Sequence, residues 1–449
     1  MIGIIILLSS LVLYMNPHRR YISIFIYMGF MMGYSGGYGL LTDSVIGIKN
    51  MDCAIIYTFL INAYLVVSNQ CRIPSVEFKP YYKIILLFLV SSVIFSLFYY
   101  NLTPFQILQG GRRFLLLLSL PILIRTKPEE LEKIIKLLFY VCLLTSILYI
   151  LQVLVVKKPL MPYGELGIDK TTGLPRFFNS PVNTVFFLSL SFLVPQWFPR
   201  CINLNIIRGI LYVAILCSLG RTGIVMSTLT ILFVLMLNGK FKKLVIVMIF
   251  LSLCLTPFIG TLNQRFEEGG TNDDMRMIMN GEFGRDYAAE GDATMLYRFA
   301  WCYERLDYLV QRPVAEQIFG MGLCSDSQDW VNSRYHFQIG LFNKEVNNIS
   351  QLSTPDIAYG NMITYLGIGG MVCYLLFCIS LTRFFWRRRK CSPMFLYLAS
   401  HGIIMYISAF SGSALSETRT LSFMFLIMSL AYHPNGTGLM AYDSTKAKN

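Results

Sequence analysis

Residues 244–260 read LVIVMIFLSLCLTPFIG, and residues 357–381 read IAYGNMITYLGIGGMVCYLLFCISL. Each is an apolar run close to the length of about 20 residues that a bilayer crossing requires. Between them lies one long polar segment, Thr261–Thr354. It holds 14 of the chain's 25 acidic residues against 8 Lys/Arg, so its formal charge is −6 where the rest of the chain is +19. Basic clusters flank the pair one run away, at Lys240, Lys242 and Lys243 and at Arg383, Arg387, Arg388, Arg389 and Lys390. Cytoplasmic loops carry the excess of Lys and Arg. Both clusters therefore predict one placement, with basic segments inside and the long acidic loop outside.

The remainder of the 449 residues, 55% hydrophobic overall, repeats this pattern. Stretches of roughly 15–25 apolar residues recur about a dozen times. The strongest are 84–100, 134–156, 182–198, 206–219, 223–237, 244–260, 357–381 and 394–410, and weaker ones are 2–15, 21–41, 53–67, 114–124 and 421–432. The expected fold is an all-α polytopic membrane protein of about 12–13 transmembrane helices, with one long extracytoplasmic loop carrying short amphipathic helices. Its expected divisions are an N-terminal bundle of about ten spans over 1–260, the loop over 261–354, C-terminal transmembrane helices over 355–432, and a cytoplasmic tail over 433–449. About thirteen spans place the N-terminus outside and the C-terminus inside. The first run lacks a basic leader and an A-x-A cleavage site, so it reads as an anchor rather than a removed signal peptide.

The formal net charge of +13 is mostly a topology signal. Its basic residues are spread over many short loops without a recognition motif, which argues against nucleic acid as a partner. The 11 cysteines lie mostly in or beside apolar runs. No C-x-x-C and no metal-ligand spacing occurs among them, so neither a metal nor another cofactor is expected. Cys302 and Cys324 fall in the long loop, where they pair in an oxidising compartment or stay as two thiols.

Polar residues on the loop side are the candidates for chemistry. In Arg176-Phe177-Phe178-Asn179-Ser180-Pro181-Val182-Asn183, Pro181 suits the first turn of a helix with Ser180 as its cap. Such a helix start with Arg176 nearby makes an anion seat, the alternative being a capped helix with a snorkelling arginine. Gly220-Arg221-Thr222-Gly223 interrupts an apolar stretch from Ile206 to Leu237, and a hairpin turn there needs glycine but has no need of arginine. A full charge at such a point is tolerated at an interface or in a wet cavity. Gly110-Gly111-Arg112-Arg113 opens the short run from Phe114, against the positive-inside bias. Within the long loop, Leu296, Phe299, Tyr303, Leu306 and Val310 recur at helical spacing, with Arg298, Trp301, Arg305 and Arg312 around them. That is the pattern of an amphipathic helix lying at the interface. Gly320-Met321-Gly322 lacks the lysine and spacing of a phosphate loop. Asp356 precedes the apolar run on re-entry, where it either caps the helix or accepts a proton. His336 and Glu417 complete the set, each with a bland alternative, solvation for the first and pairing with Arg419 for the second.

In their order and placement these motifs resemble the O-antigen polymerase/ligase family of polysaccharide-assembly membrane enzymes. The matching residues are Arg176 with Phe178–Asn183, Gly220-Arg221-Thr222-Gly223, and Arg298-Phe299-Ala300-Trp301. Pro313, Gly320-Met321-Gly322, Asp356 with Asn361, and Gly367-Ile368-Gly369-Gly370 continue the match, which covers roughly 171–374. Ligases of that family carry a histidine near the re-entry point, where this chain has Asp356, so the resemblance favours the polymerase. It implies glycosyl transfer outside the membrane from a polyprenyl-diphosphate-linked oligosaccharide, without nucleotide sugar or metal. Arg221 and Arg298 would then hold the donor diphosphate, and Asp356 would activate the acceptor hydroxyl. Arg112, Arg176, Asn183, Trp301, His336 and Glu417 would bind substrate, and Trp301, Tyr303, Trp330 and Tyr335 offer sugar-stacking faces. The implied partners are the lipid-linked oligosaccharide, the bilayer, and the flippase and chain-length regulator of the same pathway. A transporter of lipid-linked sugars fits the many spans equally, but alternating access has no need of the long loop.

Overall fold

Apolar runs close into helices in a bilayer because no water is available to bond the backbone. The computed structural model describes residues 2–32, 50–69, 74–161, 165–168, 174–177, 180–218, 221–239, 295–324 and 357–432, with a few isolated positions between them, and is mostly helical. In chain order the helices are α1 (Ile2–Met15), α2 (Arg20–Met32), α3 (Asn50–Val67), α4 (Lys79–Phe98), α5 (Pro104–Leu115), α6 (Ser119–Ile124), α7 (Pro128–Ile150) and α8 (Thr184–Leu193). They continue as α9 (Leu204–Cys217), α10 (Arg221–Leu237), α11 (Met295–Val310), α12 (Val314–Phe319), α13 (Ala358–Arg387), α14 (Pro393–Ser408) and α15 (Thr418–Tyr432). Two short antiparallel ribbons pair β1 (Glu165–Ile168) with β2 (Pro175–Phe177) and β3 (Phe342–Asn343) with β4 (Asn348–Ile349).

Among the described residues, five helical stretches are long and apolar enough to cross a membrane: α3, α4, Pro104–Ile124, Pro128–Val156 and α13. The other apolar helices have 10–17 residues. The run over 182–198 is one of these shortened cases. Its helix α8 stops at Leu193, because Pro195 forces Val194 out of the helical region, to φ −132° and ψ 66°. The run over 114–124 is lengthened instead. Thr103 and Gln106 form a reciprocal capping box with Pro104 in the first turn, so α5 begins ten residues before Phe114. Of the two runs that frame the acidic segment, one forms α13 from Ala358 onward, while 249–260 of the other falls outside the described residues.

Side-chain bonds sort the helix ends. Arg112 of α5 meets Asp52 near the start of α3, and farther along Asn62 of α3 donates to the Leu118 carbonyl, so α3 and α5–α6 run parallel. Tyr82 of α4 donates to the Leu117 carbonyl, whereas Ser96 near the other end of α4 accepts from Leu323 N beside Gly110, so α4 runs the opposite way. The ends of α4 and α14 and the starts of α3, α5 and α13 thus share one end of the bundle. At the other end Glu77, just before α4, bridges Arg387 and Arg388 at the end of α13, at 2.8 and 3.1 Å. The interior is aromatic and hydroxyl-rich. Tyr27 stacks on Tyr57 at 4.5 Å, Tyr27 bonds Thr58, Ser23 bonds Tyr57, and Ser119 bonds Ser422. Such hydroxyl pairs between helices typically contribute about 0.6 kcal/mol each.

Residues 295–324, from the acidic segment, are fastened to that bundle. Gly320 has φ +67° and Gly367, inside α13, has φ +65°, and each would drive a Cβ into the other's backbone. Met321 N donates to the Thr364 carbonyl at 2.9 Å, Tyr100 to the Gly320 carbonyl, and Tyr99 to Glu316 at 2.9 Å. Phe319 stacks on Phe88 and Phe95 of α4. Gly367 lies nine residues into α13 and Phe88 ten residues before the end of α4, each about 14–15 Å along its helix. The segment therefore descends along the bundle instead of standing above it.

Two outcomes follow from these contacts. Gly320→Ala, which meets both strain and backbone collision, should cost about 1–3 kcal/mol or more in thermal unfolding of the detergent-solubilised protein. The control Gly209→Ala, whose Cβ meets nothing within 4 Å, should be neutral or slightly stabilising. Burial raises the Glu77 carboxyl, but hydrogen bonds and charge from Arg388 and Arg387 outweigh it, so its pKa lies below the ordinary 4.5. Its contribution to stability is complete above 4.5 and disappears as pH falls through the lower folded-state value. Glu77→Gln should therefore flatten the acid limb of a stability-versus-pH curve, and an unchanged limb would refute the assignment.

Candidate functional site

The end of the bundle that receives residues 295–324 also collects most of the polar residues singled out in the sequence. Arg112 lies eight residues inside the continuous helix Pro104–Ile124, about 12 Å from its start, so it sits within an apolar span and does not open one. Its Nη1 donates to Asp52 Oδ1 at 3.2 Å, its Nε donates to the Gln109 carbonyl, and both partners of the ion pair are about one-quarter exposed. Arg113 stands over the Tyr365 ring at 4.8 Å. The adjacent glycines have a steric purpose, since a Cβ on Gly110 would strike the carbonyl oxygens of Leu323 and Cys324. Asp52 went unnoticed in the sequence. Its signal is a lone acid inside the apolar run from Met51, which in a membrane calls for a partner.

Arg221 is the first residue of α10, and α9 ends at Cys217 with Ser218 as its C-cap. A cation at a helix N-terminus opposes the macrodipole by about 0.3–1 kcal/mol, so helix stability does not account for it. Arg176 is exposed on β2, opposite Gly167, in a hairpin held by the Tyr149 hydroxyl on the Phe177 carbonyl. The helix start expected at Pro181 is displaced. Asn183 adopts φ +64°, which asparagine tolerates better than most residues, and α8 begins only at Thr184. Ser180 therefore does not cap it, and the Asn183 side chain reaches the Met32 sulfur at 3.8 Å.

On α11 the apolar stripe is real but faces outward. Phe299, Tyr303, Leu306 and Val310, continued by Val314 and Ile318 on α12, are 38–68% exposed. The opposite face enters the bundle. Trp301 is fully buried, seated where Gly360 has no Cβ, with the Arg305 guanidinium 4.0 Å from its ring. Arg305 is itself buried and paired with Glu304 at 2.7 Å. Trp301 thus has no free face for a sugar, which corrects its expected role; it is a packing residue. Arg298, half-buried, shares the inward face of α11 one turn before Trp301, toward the start of α13.

Glu417 accepts from Ser413 Oγ at 2.7 Å, after a 3-10 turn, Ala414–Ser416, pinned to α13 by the Tyr374 hydroxyl on the Leu415 carbonyl and by Asn361 on Ser416. Asn361 is buried there, in the first turn of α13. Asp356, His336, Trp330 and Tyr335 lie outside the described residues. The structure thus brings Arg112, Arg298, Asn361 and Glu417 to the same end of the bundle. It brings no sugar-stacking tryptophan with them among the described residues. Arg312, with Nε on Glu316 at 3.0 Å, belongs to the fastening of α12. Its i,i+4 spacing could have been read from sequence.

Cys302 and Cys324 are free thiols. Burial pushes the Cys302 thiol up to about 12, outweighing the nearby Arg305 and a hydrogen bond with Gly360. No family model matches the chain, and no curated protein matches it. Because Trp301 is packing, Trp301→Ala should cost about 3–5 kcal/mol in thermal unfolding. In the intact protein at neutral pH, maleimide should label the exposed Cys201 and spare Cys302. In the Trp301→Ala variant Cys302 should become reactive, and equal labelling of Cys302 before and after the substitution would contradict the packing role.

Proposed function

We propose that the chain is a multi-pass enzyme of the bacterial cytoplasmic membrane that joins polyprenyl-diphosphate-linked oligosaccharide repeat units into a surface polysaccharide. The observation that carries this reading is the collection of arginines at the end of the bundle where the acidic segment is fastened. In it the five long helices and the shorter apolar ones together make about 12–13 spans, and 261–354 lies outside.

The chemistry has simple demands. The bond between the anomeric carbon of the donor sugar and its diphosphate oxygen breaks, and that oxygen leaves with both electrons. Negative charge grows on the diphosphate as it leaves. Guanidinium groups of Arg221 and Arg298 stabilise it by bidentate donation, in a setting where low dielectric strengthens each contact. The acceptor hydroxyl oxygen forms the new bond to the anomeric carbon, and its proton passes to the Asp356 carboxylate. The products are a lengthened lipid-linked chain and free polyprenyl diphosphate. Arg176 and Glu417 contact the substrate in this scheme. The flippase and chain-length regulator of the pathway are its expected neighbours.

Reconstitution with a lipid-linked repeat unit tests the proposal directly. The wild-type chain should yield a ladder of polymer lengths in sealed vesicles. Arg221→Lys and Arg298→Lys keep charge but lose the planar fork, and each should cut polymer yield about 10²-fold. Asp356→Asn keeps the capability to cap a helix and loses the proton acceptor, so turnover should fall roughly 10²–10⁴-fold with unpolymerised repeat units accumulating. Translocation of the lipid-linked sugar without polymer growth would identify a transporter instead, and transfer only to a non-identical acceptor would identify a ligase.

A further inference from the structure

Helix α4 is a depth gauge for the segment packed against it. Its 20 residues, Lys79–Phe98, measure about 30 Å, the thickness of a bilayer's hydrocarbon core. Phe88 stands ten residues before its end at Phe98, and so about 15 Å below the boundary there. Phe319 of α12 lies against Phe88 and Phe95, with ring centroids 5.2 and 4.9 Å apart. A Cβ on Gly370 of α13 would strike the Phe88 ring, which puts Gly370 at the same level, and Ile318 packs on the neighbouring Gly369. The chain enters and leaves this depth within one segment. Before it, Trp301 is seated on Gly360 in the first turn of α13. After it, Leu323 N donates to Ser96 Oγ at 3.0 Å, two residues from the end of α4.

The outward face has the composition that hydrocarbon demands. Ile318 is 42% exposed although it lies beside the middle of a crossing helix. From 298 to 320 the exposed positions are the stripe from Phe299 to Ile318 together with Gln311 and Pro313, so none of them is ionised. Charged groups are matched: Arg305 with Glu304, Arg312 with Glu316, and Asp307 with Gln311, whose amide donates to it at 3.0 Å. The backbone between α11 and α12 is treated likewise. Non-helical backbone at membrane depth has to find its partners within the protein. Gln317 Nε2 donates to the carbonyls of Val310 and Arg312, at 3.0 and 2.8 Å, and Pro313 has no N–H to satisfy. Beyond Ile318 the exposed apolar band continues on α13 as Val372, Leu376 and Ile379, which share one helical face with Gly369.

We infer that residues 295–324 form a re-entrant membrane segment, which dips into one leaflet and returns, with the stripe from Phe299 to Ile318 seated against the acyl chains of that leaflet. A helix lying in the interface enters by only about 5–10 Å. This segment goes deeper, so part of the long acidic loop is embedded in hydrocarbon. The inference stands on packing and exposure, and is independent of the reaction proposed above.

Lipid photocapture measures the depth, with the full-length chain in phosphatidylcholine vesicles. Benzoylphenylalanine at Ile318 should bond to acyl chains, at a point about 15 Å deeper than the same probe at Phe98, which is 79% exposed at the end of α4. Its attachment point should coincide with that of the probe at Leu87, 69% exposed and one residue from Phe88. The probe at Val314 should capture acyl chains as well, and it decides alone should the Ile318 variant fail to fold. Attachment confined to about 5–10 Å below the headgroups would make the segment a surface helix and overturn the inference. Cross-links to a second copy of the chain in place of lipid, or no capture of lipid, would do the same. Capture requires no turnover, so the two proposals fail separately. Polymer growth without deep capture sinks the re-entrant segment and leaves the enzyme, while deep capture in a chain that makes no polymer sinks the enzyme and leaves the segment.

Discussion

The contact on which the rest of this structure depends is backbone against backbone. Gly320 and Gly367 approach so closely that neither tolerates a side chain, and both adopt positive φ to do so. That approach brings the Thr364 carbonyl to Met321 N and sets Gly322 on Ser96. It also lays Leu323 and Cys324 across Gly110. Through these few atoms a segment far along the chain becomes a wall shared by α4, α5 and α13. Dispersion and shape carry such a junction, because apolar surface gains little from leaving lipid for a helix.

The segment's own chemistry fits this seat. A helix with an apolar stripe would conventionally turn the stripe inward, yet α11 buries Trp301, Glu304 and Arg305 and shows Phe299, Tyr303, Leu306 and Val310 to its surroundings. In water that inversion would be unfavourable. Against lipid it is the expected arrangement, because charged groups find partners only inside the protein. Arg305 finds Glu304 and the Trp301 ring, so the buried charge is matched.

The helical fold was legible in sequence because hydrophobic length is a blunt and robust signal. Helix α13 and the outline of α7 follow directly from it. The errors occurred where a local rule outweighed length. Pro195 cut α8 short, the capping box at Thr103 started α5 early, and the left-handed Asn183 moved a helix start by three residues past Pro181. The candidate site was legible in part. Arginines that violate the charge bias were visible in sequence, whereas Asp52 as partner of Arg112 depends on a pairing between distant segments. Trp301 was misread for a similar reason. Nothing in its own sequence says that Gly360, across the bundle, leaves a gap of its size.

The order of synthesis gives the Gly320–Gly367 contact a further meaning. A ribosome completes α11 and α12 well before α13 exists. Until Gly360 emerges, Trp301 has no glycine to seat it, and until Gly367 follows, Gly320 has no backbone to meet. The outward stripe from Phe299 to Ile318 needs no partner within the protein, so it lets the segment wait at the membrane surface during that interval. Docking can then be completed only once α13 supplies Gly360 and Gly367. A nascent chain stalled before α13 would thus carry the arginines of the first spans without the wall that Leu323 and Cys324 lay across Gly110.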